Sequence, residues 1–109
     1  MRAWFASTGA ELLARDPADT VGRLASAQQA RGHAGTADQE FAWRREVAAL
    51  RHALLAARGE SWTVALVYDL LRLEKRVDAV LVTDRAIIAI EFKSAAADRA
   101  ALALSLIHI

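Results

Sequence analysis

Asp78, Glu91 and Lys93 are the residues whose types and spacing could do chemistry together. They run Asp, twelve intervening residues, then Glu91-Phe92-Lys93. Two carboxylates suit Mg²⁺ or Mn²⁺, hard cations that prefer oxygen ligands, and Mg²⁺ keeps several of its waters. Such an ion polarises a scissile phosphate and lowers the pKa of the attacking water. A lysine alongside can orient or deprotonate that water and offset charge in the transition state. Glu-x-Lys alone is a weak pattern, because the two residues alternate on many strand surfaces. Its setting here adds weight.

That setting is a β-hairpin. Residues 76–82 and 86–92 are two apolar runs rich in Val and Ile, broken by Thr83-Asp84-Arg85. A two-residue loop at Asp84-Arg85 makes paired residue numbers sum to 169. Asp78 then opposes Glu91, and Arg76 opposes Lys93. Alternation puts Arg76, Asp78, Val80, Val82, Ile87, Ala89, Glu91 and Lys93 on one face. Val77, Ala79, Leu81, Ile88, Ile90 and Phe92 form the other, a core face. Opposed carboxylates repel, and a cation between them reverses the sign. A surface ion cluster of Asp78 with Arg76 or Lys93 is the competing reading.

The elements that must position these residues follow from the pattern. Residues Met1 to about Ala30 read as two short helices, broken at Asp16-Pro17, with Asp16 capping the second and Pro17 in its first turn. Residues 31–35 are a Gly-containing loop. Thr36 opens the main helix with the capping-box pattern Thr36-Ala37-Asp38-Gln39. The helix runs to about Arg58, with Gly59 as its stop. Trp43, Val47, Leu50 and Leu54 form one apolar stripe, flanked by Glu46 on one side and Glu40 on the other. Trp62 to about Leu71 is a strand with Val64, Leu66, Tyr68 and Leu70 on one face. Val67 spoils its alternation, which suggests a strand covered on both sides. Residues 94–101 read as the start of a helix. Leu104 to Ile109 continue no amphipathic pattern and read as foreign residues ending an N-terminal fragment, with a short strand as the competing reading. The units are a helical segment 1–35, an αβββ core 36–95, and a truncated helix with a foreign tail over 96–109.

Composition sets bounds. The chain has 109 residues and a net charge of +1, so nucleic-acid binding would need a local patch. Only Lys75 and Lys93 among its 14 basic residues are lysines. Without cysteine there is no disulfide, thiolate metal site or redox motif. No signal-peptide or membrane-spanning run is present, so the cytoplasm is the expected compartment. Arg72 and Arg76 could contact phosphates, with solvated charges beside a turn as the alternative. His33, His52 and His108 share no spacing and read as surface residues. Trp4, Trp43 and Trp62 could stack on bases, although Trp43 and Trp62 sit where a core residue belongs.

The chain resembles a restriction-endonuclease-like domain of the PD-(D/E)XK type. It is similar in particular to the N-terminal domain of bacterial proteins that continue into a Schlafen group-3-like DNA/RNA helicase or ATPase. The matching pieces are Met1-Arg2-Ala3-Trp4-Phe5, Ala42 through Leu50, Arg72, Arg76-Val77-Asp78-Ala79-Val80 and Ile90-Glu91-Phe92-Lys93. The likeness covers about residues 1 to 95. It implies Asp78 and Glu91 as metal ligands, Lys93 as the catalytic lysine, and Glu46, above Glu40, as the helix glutamate that completes the site. It also implies Mg²⁺ or Mn²⁺, a DNA or RNA substrate, and a following helicase or ATPase domain. That domain lies outside this chain, which lacks G-x-x-x-x-G-K-[ST]. Relatives tend to show Glu-Phe-x-Ile-Pro-Arg where this chain has Val67-Tyr68-Asp69-Leu70-Leu71-Arg72, and a loop glycine is replaced by Glu74. The expected fold is α/β: helix, three antiparallel strands and a helix start, truncated at the C-terminus. The expected function is Mg²⁺-dependent phosphodiester hydrolysis. The alternative is a catalytically inactive module that binds nucleic acid or a protein partner.

Overall fold

The computed structural model describes residues 2–32, 35–70, 75–92 and 102–108; for Lys75 and for 102–108 only the backbone is described. The fold is α/β. The strands are β1 (Ala3–Thr8), β2 (Thr63–Leu70), β3 (Lys75–Val82), β4 (Ala86–Phe92) and β5 (Leu102–His108), in spatial order β1-β2-β3-β4-β5. Every neighbouring pair is antiparallel. The helices are α1 (Gly9–Ala14), α2 (Pro17–Ala30) and α3 (Ala37–Ala57).

The starts of α2 and α3 match the sequence signals. Thr8 caps α1 in a full capping box with Glu11, Asp16 caps α2 ahead of Pro17, and Thr36 Oγ1 accepts from the Gln39 N–H. Trp43, Val47, Leu50 and Leu54 are the buried stripe of α3. Arg51 ties α3 to α1 by donating to the carbonyls of Leu12, Leu13 and Arg15, acceptors left open at a helix end.

Two expectations are corrected. The first residues are not all helical: Ala3–Thr8 is an edge strand on β2. Trp4 and Phe5 are buried there, and this burial outweighs the helical reading of a short segment. The sheet also has five strands rather than three. Leu102–His108 pairs along β4 as a fifth strand. The helix start at 94–101 lies outside the described residues.

At one end of the sheet Thr8, the first helix turn and the β2 entrance are clamped together. The Gly9 and Ala10 N–H groups donate to the carbonyls of Trp62 and Glu60. A Cβ on Gly9 would collide with the Gly59 carbonyl oxygen, so glycine is required by this close approach.

The β3–β4 register is the one expected. Ala79 pairs with Ile90, Val80 with Ala89, Leu81 with Ile88 and Val82 with Ile87. Thr83 closes the turn, its Oγ1 accepting from the Arg85 and Ala86 N–H groups. The face assignment holds for β4 but not along the whole of β2 and β3. Val64, Leu66, Ala79, Leu81 and Ile90 face the helices, as alternation requires. Beyond them Val67 also packs on the helix-side core, while Tyr68, Leu70 and Val77 join a separate cluster with Ala65 and Val80. In β1 the same happens: Trp4 and the adjacent Phe5 are both in the helix-side core, while Ala3 lies with the other cluster. Pairing lapses at the same level, between Trp4 and Val67 and between Val67 and Asp78, and resumes in unchanged register beyond. Three neighbouring strands therefore exchange faces together, which keeps register while reversing side-chain parity. Among the described residues no helix packs on the second cluster, over which lies an apolar hollow of about 380 Å³.

Candidate functional site

The exchange of faces decides where the carboxylate of Asp78 goes. Strict alternation from Ala79 would put it on the face away from the helices. The observed position is a correction: with Glu46, Val67, Trp43 and Leu50, Asp78 lines a small hollow of about 10 Å³ under α3. That is room for about one water-sized particle. Glu46 stands on α3 between the buried turns of Trp43 and Leu50, so the flank of the apolar stripe overhangs β3.

The electrostatics of the pair are adverse. Burial first, and the charge of Asp78 second, push the Glu46 carboxyl up to about 7. Burial also raises Asp78; the Phe92 N–H, donating to Oδ2 at 2.7 Å, pulls the other way, and the charge of Glu91 adds to the rise. This hydrogen bond stands where the β3–β4 ladder ends, after Ala79–Ile90. Among the described residues no arginine or lysine forms an ion pair with Glu46 or Asp78. Arg76, one of the two partners that the competing surface-cluster reading offers Asp78, pairs with Asp69 at 3.1 Å.

Val67 marks the site in a second way. Its φ is +53°, a left-handed conformation that is a true outlier for a β-branched residue. Such strain persists only where surrounding structure enforces it, and it clusters at functional sites. No sequence signal foretells it, because nothing about valine favours that conformation.

The structure therefore brings Glu46 to Asp78, and couples Asp78 to Glu91. Glu40 on the other flank takes no part. Lys93 and Arg72 lie outside the described residues, as does His33, while His52 is exposed on α3. Trp43 is core, Trp62 packs against the core, and Trp4 is also buried, meeting Trp43 edge-on at 6.3 Å. Among the described residues no group of three or more His, Cys, Asp or Glu side chains converges as a metal cluster. Charge couples Glu46 with Asp78 and Asp78 with Glu91. An oxygen donor set of one or two carboxylates is nevertheless what a hydrated Mg²⁺ uses, and the charge repulsion within this set is relieved by a cation. The residues fit the ion on those grounds.

Among the described residues no helix is long and apolar enough to cross a membrane. Comparisons of the chain with family models, curated proteins and solved structures give no match.

Proposed function

We propose that the chain is a nuclease-like domain, in which Asp78, Glu91 and Glu46 hold Mg²⁺ or Mn²⁺ for phosphodiester hydrolysis of nucleic acid. The observation that carries this reading is the half-buried pair Glu46–Asp78, drawn from different elements and left with like charges facing each other. A fold does not gather such groups for stability, because Asp78 raises the cost of ionising Glu46 and Glu91 raises that of Asp78. Bound there, the metal would supply electrophilic activation of a phosphate and a more acidic water. Glu46 and Asp78 would orient the ion from two sides, with the Phe92 N–H holding one oxygen of Asp78 in place. Lys93, next after Phe92 in the chain, is proposed as the cationic partner of the reacting phosphate. The restriction-endonuclease-like core and a following helicase or ATPase belong to this same proposal.

A second reading rests on a specific observation. One Asp78 oxygen is already engaged by the Phe92 N–H, and no three-ligand cluster forms among the described residues. These features favour a catalytically inactive module that keeps the carboxylates and binds nucleic acid or a protein partner.

Thermal unfolding with and without Mn²⁺ or Mg²⁺ separates the two. An ion that binds only the folded state adds about 2.7 kcal/mol at 100 times its Kd. The nuclease reading expects that gain in the wild type and its loss in Asp78→Asn and Glu46→Gln. A wild type indifferent to both ions, with both variants more stable than it, sinks the metal site.

A further inference from the structure

A cleft of about 720 Å³ lies between edge strand β1 and helix α2. The strand contributes Trp4 and Phe5; Arg15, Asp19, Gly22 and Arg23 form much of the rest. Asp19 sits between the two arginines, 2.6 Å from Arg15 and 3.4 Å from Arg23. The Arg15 guanidinium also lies 5.5 Å from the centre of the Phe5 ring.

Two N–H donors on these walls have no acceptor. Arg15 Nε and Trp4 Nε1 are both shielded from solvent and unpaired within the protein. Buried donors are nearly always satisfied, so each exception asks for an explanation. Thr20 Oγ1 and Gln28 Oε1 are also unpaired, but of the four residues only Arg15 and Trp4 line the cleft, and theirs are the two N–H groups that lack an acceptor.

Gly22 adds an independent observation. It lies within α2, where glycine is less favourable than alanine. Yet a Cβ there would meet nothing within 4 Å. Packing does not demand glycine at this position; the space left beside it belongs to the cleft. Charge points the same way. Arg31 and Arg76 place their guanidinium carbons 5.0 and 4.9 Å from the centre of the Trp4 ring. Arg15, Arg31 and Arg76 thus lie against Phe5 and Trp4, with Arg23 on the cleft wall; Asp19 pairs with Arg15 and Arg23, and Asp69 with Arg76.

We propose that this cleft is a phosphate-binding site, in which Arg15 and Arg23 offer their planar donor forks to the anion and Asp19 is the resident counter-ion it displaces. Guanidinium groups match phosphate geometry in pairs of parallel hydrogen bonds. The same group reaches the cleft on a nucleic-acid strand or on a free nucleotide. Arg31 and Arg76 favour the strand, since they extend the basic surface past a single phosphate. The site lies apart from Glu46 and Asp78, reached from them through the Trp43–Trp4 contact. It shares with the proposed function only its class of ligand.

The test is fluorescence anisotropy of labelled oligothymidylate with the full chain in EDTA, with AMP as competitor. Metal is excluded, so failure of the carboxylate site leaves this readout untouched. Wild type binds the strand with affinity that falls as salt rises. Arg23→Gln weakens binding and lowers the log–log salt slope by about one. Asp19→Asn strengthens it, a gain that misfolding cannot produce. Gly22→Leu fills the cleft and abolishes binding, while its unfolding midpoint stays at or above the wild-type value. Displacement of the strand by AMP at comparable concentration assigns the site to free nucleotides, and persistence of the strand assigns it to the polymer. No binding of the strand by the wild type, or wild-type affinity in all three variants, overturns the proposal.

Discussion

The two halves of the sheet obey different rules. From the Thr8–Thr63–Val82 end up to Phe5, Leu66 and Ala79, side chains alternate strictly and the helix-facing set is apolar apart from Ser7 at its rim. At the level of Trp4, Val67 and Asp78 the alternation slips by one residue in three strands at once. A carboxylate and a strained valine then appear on the side that should be core. The regular half is what hydrophobic burial alone produces. The irregular half gives up local favourability in two separate ways, backbone strain at Val67 and charge repulsion at Glu46–Asp78. Two unfavourable features at one spot point to a role other than stability.

The sharpest way to break this contrast is to delete the same side chain in each half. Val64 is fully buried at ordinary strand geometry. Val64→Gly removes its packing and loosens the backbone, and is expected to cost about 3 kcal/mol. Val67→Gly loses a half-buried side chain but relieves a left-handed conformation worth about 1–3 kcal/mol. Its stability should stay within about 1 kcal/mol of wild type. Urea unfolding measures both. Equal losses at the two positions would mean that Val67 stores no strain.

Glu46 gives the next largest effect, read through pH. The unfolded chain releases this proton near the ordinary 4.5, the folded chain only near 7. Between those values the folded state holds more protons, so stability falls as pH rises from about 4.5 through about 7. Asp78, raised as well, contributes with the same sign. Because Glu46 is only partly shielded, the loss in metal-free buffer should be about 1–2 kcal/mol rather than the full shift. Glu46→Gln should flatten much of this slope and make the protein more stable than wild type at pH 8. A wild-type slope retained in Glu46→Gln would assign the effect to other groups. On the proposed metal reading Mn²⁺ competes with the same proton, so its stabilising effect should be larger at pH 8 than at pH 6.

The boundary between the halves is also where the sequence stopped being legible. Turn chemistry at Thr83 to Arg85, the capping residues of α2 and α3, and the apolar stripe of α3 all follow from short-range rules. The structure repeats them. The β3–β4 register is set by the same turn. What failed was the extrapolation of period-two alternation past Ala79, because a concerted shift in three strands leaves the spacing of residue types unchanged. Val67 spoiled the alternation visibly, but read as a strand covered on both sides. Asp78 and Glu46 were both identified, yet their meeting depended on the face exchange. The strand at Ala3–Thr8 was not legible for another reason: its β-favouring Trp4 and Phe5 form too short a run to outweigh the helix signals that follow, and pairing with β2 defines it.

The smallest effect separates two residues that share a backbone conformation. Arg58 has φ +55°, close to the +53° of Val67. Its setting is different. It caps the C-terminus of α3 with its side chain exposed, and the following Gly59 N–H donates back to the Leu54 carbonyl. Left-handed residues are routine at this point of a helix, and glycine is the usual choice because it lacks the Cβ that clashes with the carbonyl. Arg58→Gly should therefore stabilise by about 0.5–1 kcal/mol, the steric relief being partly offset by the freedom glycine gains in the unfolded chain. Arg58→Ala should leave the strain in place and give no gain. The change is remote from the carboxylates, so the pH slope from Glu46 should remain that of wild type. If Arg58→Gly gains as much as Val67→Gly gains relative to Val67→Ala, the two positions carry the same backbone strain. What distinguishes Val67 is then its placement beside Asp78 rather than the size of its strain.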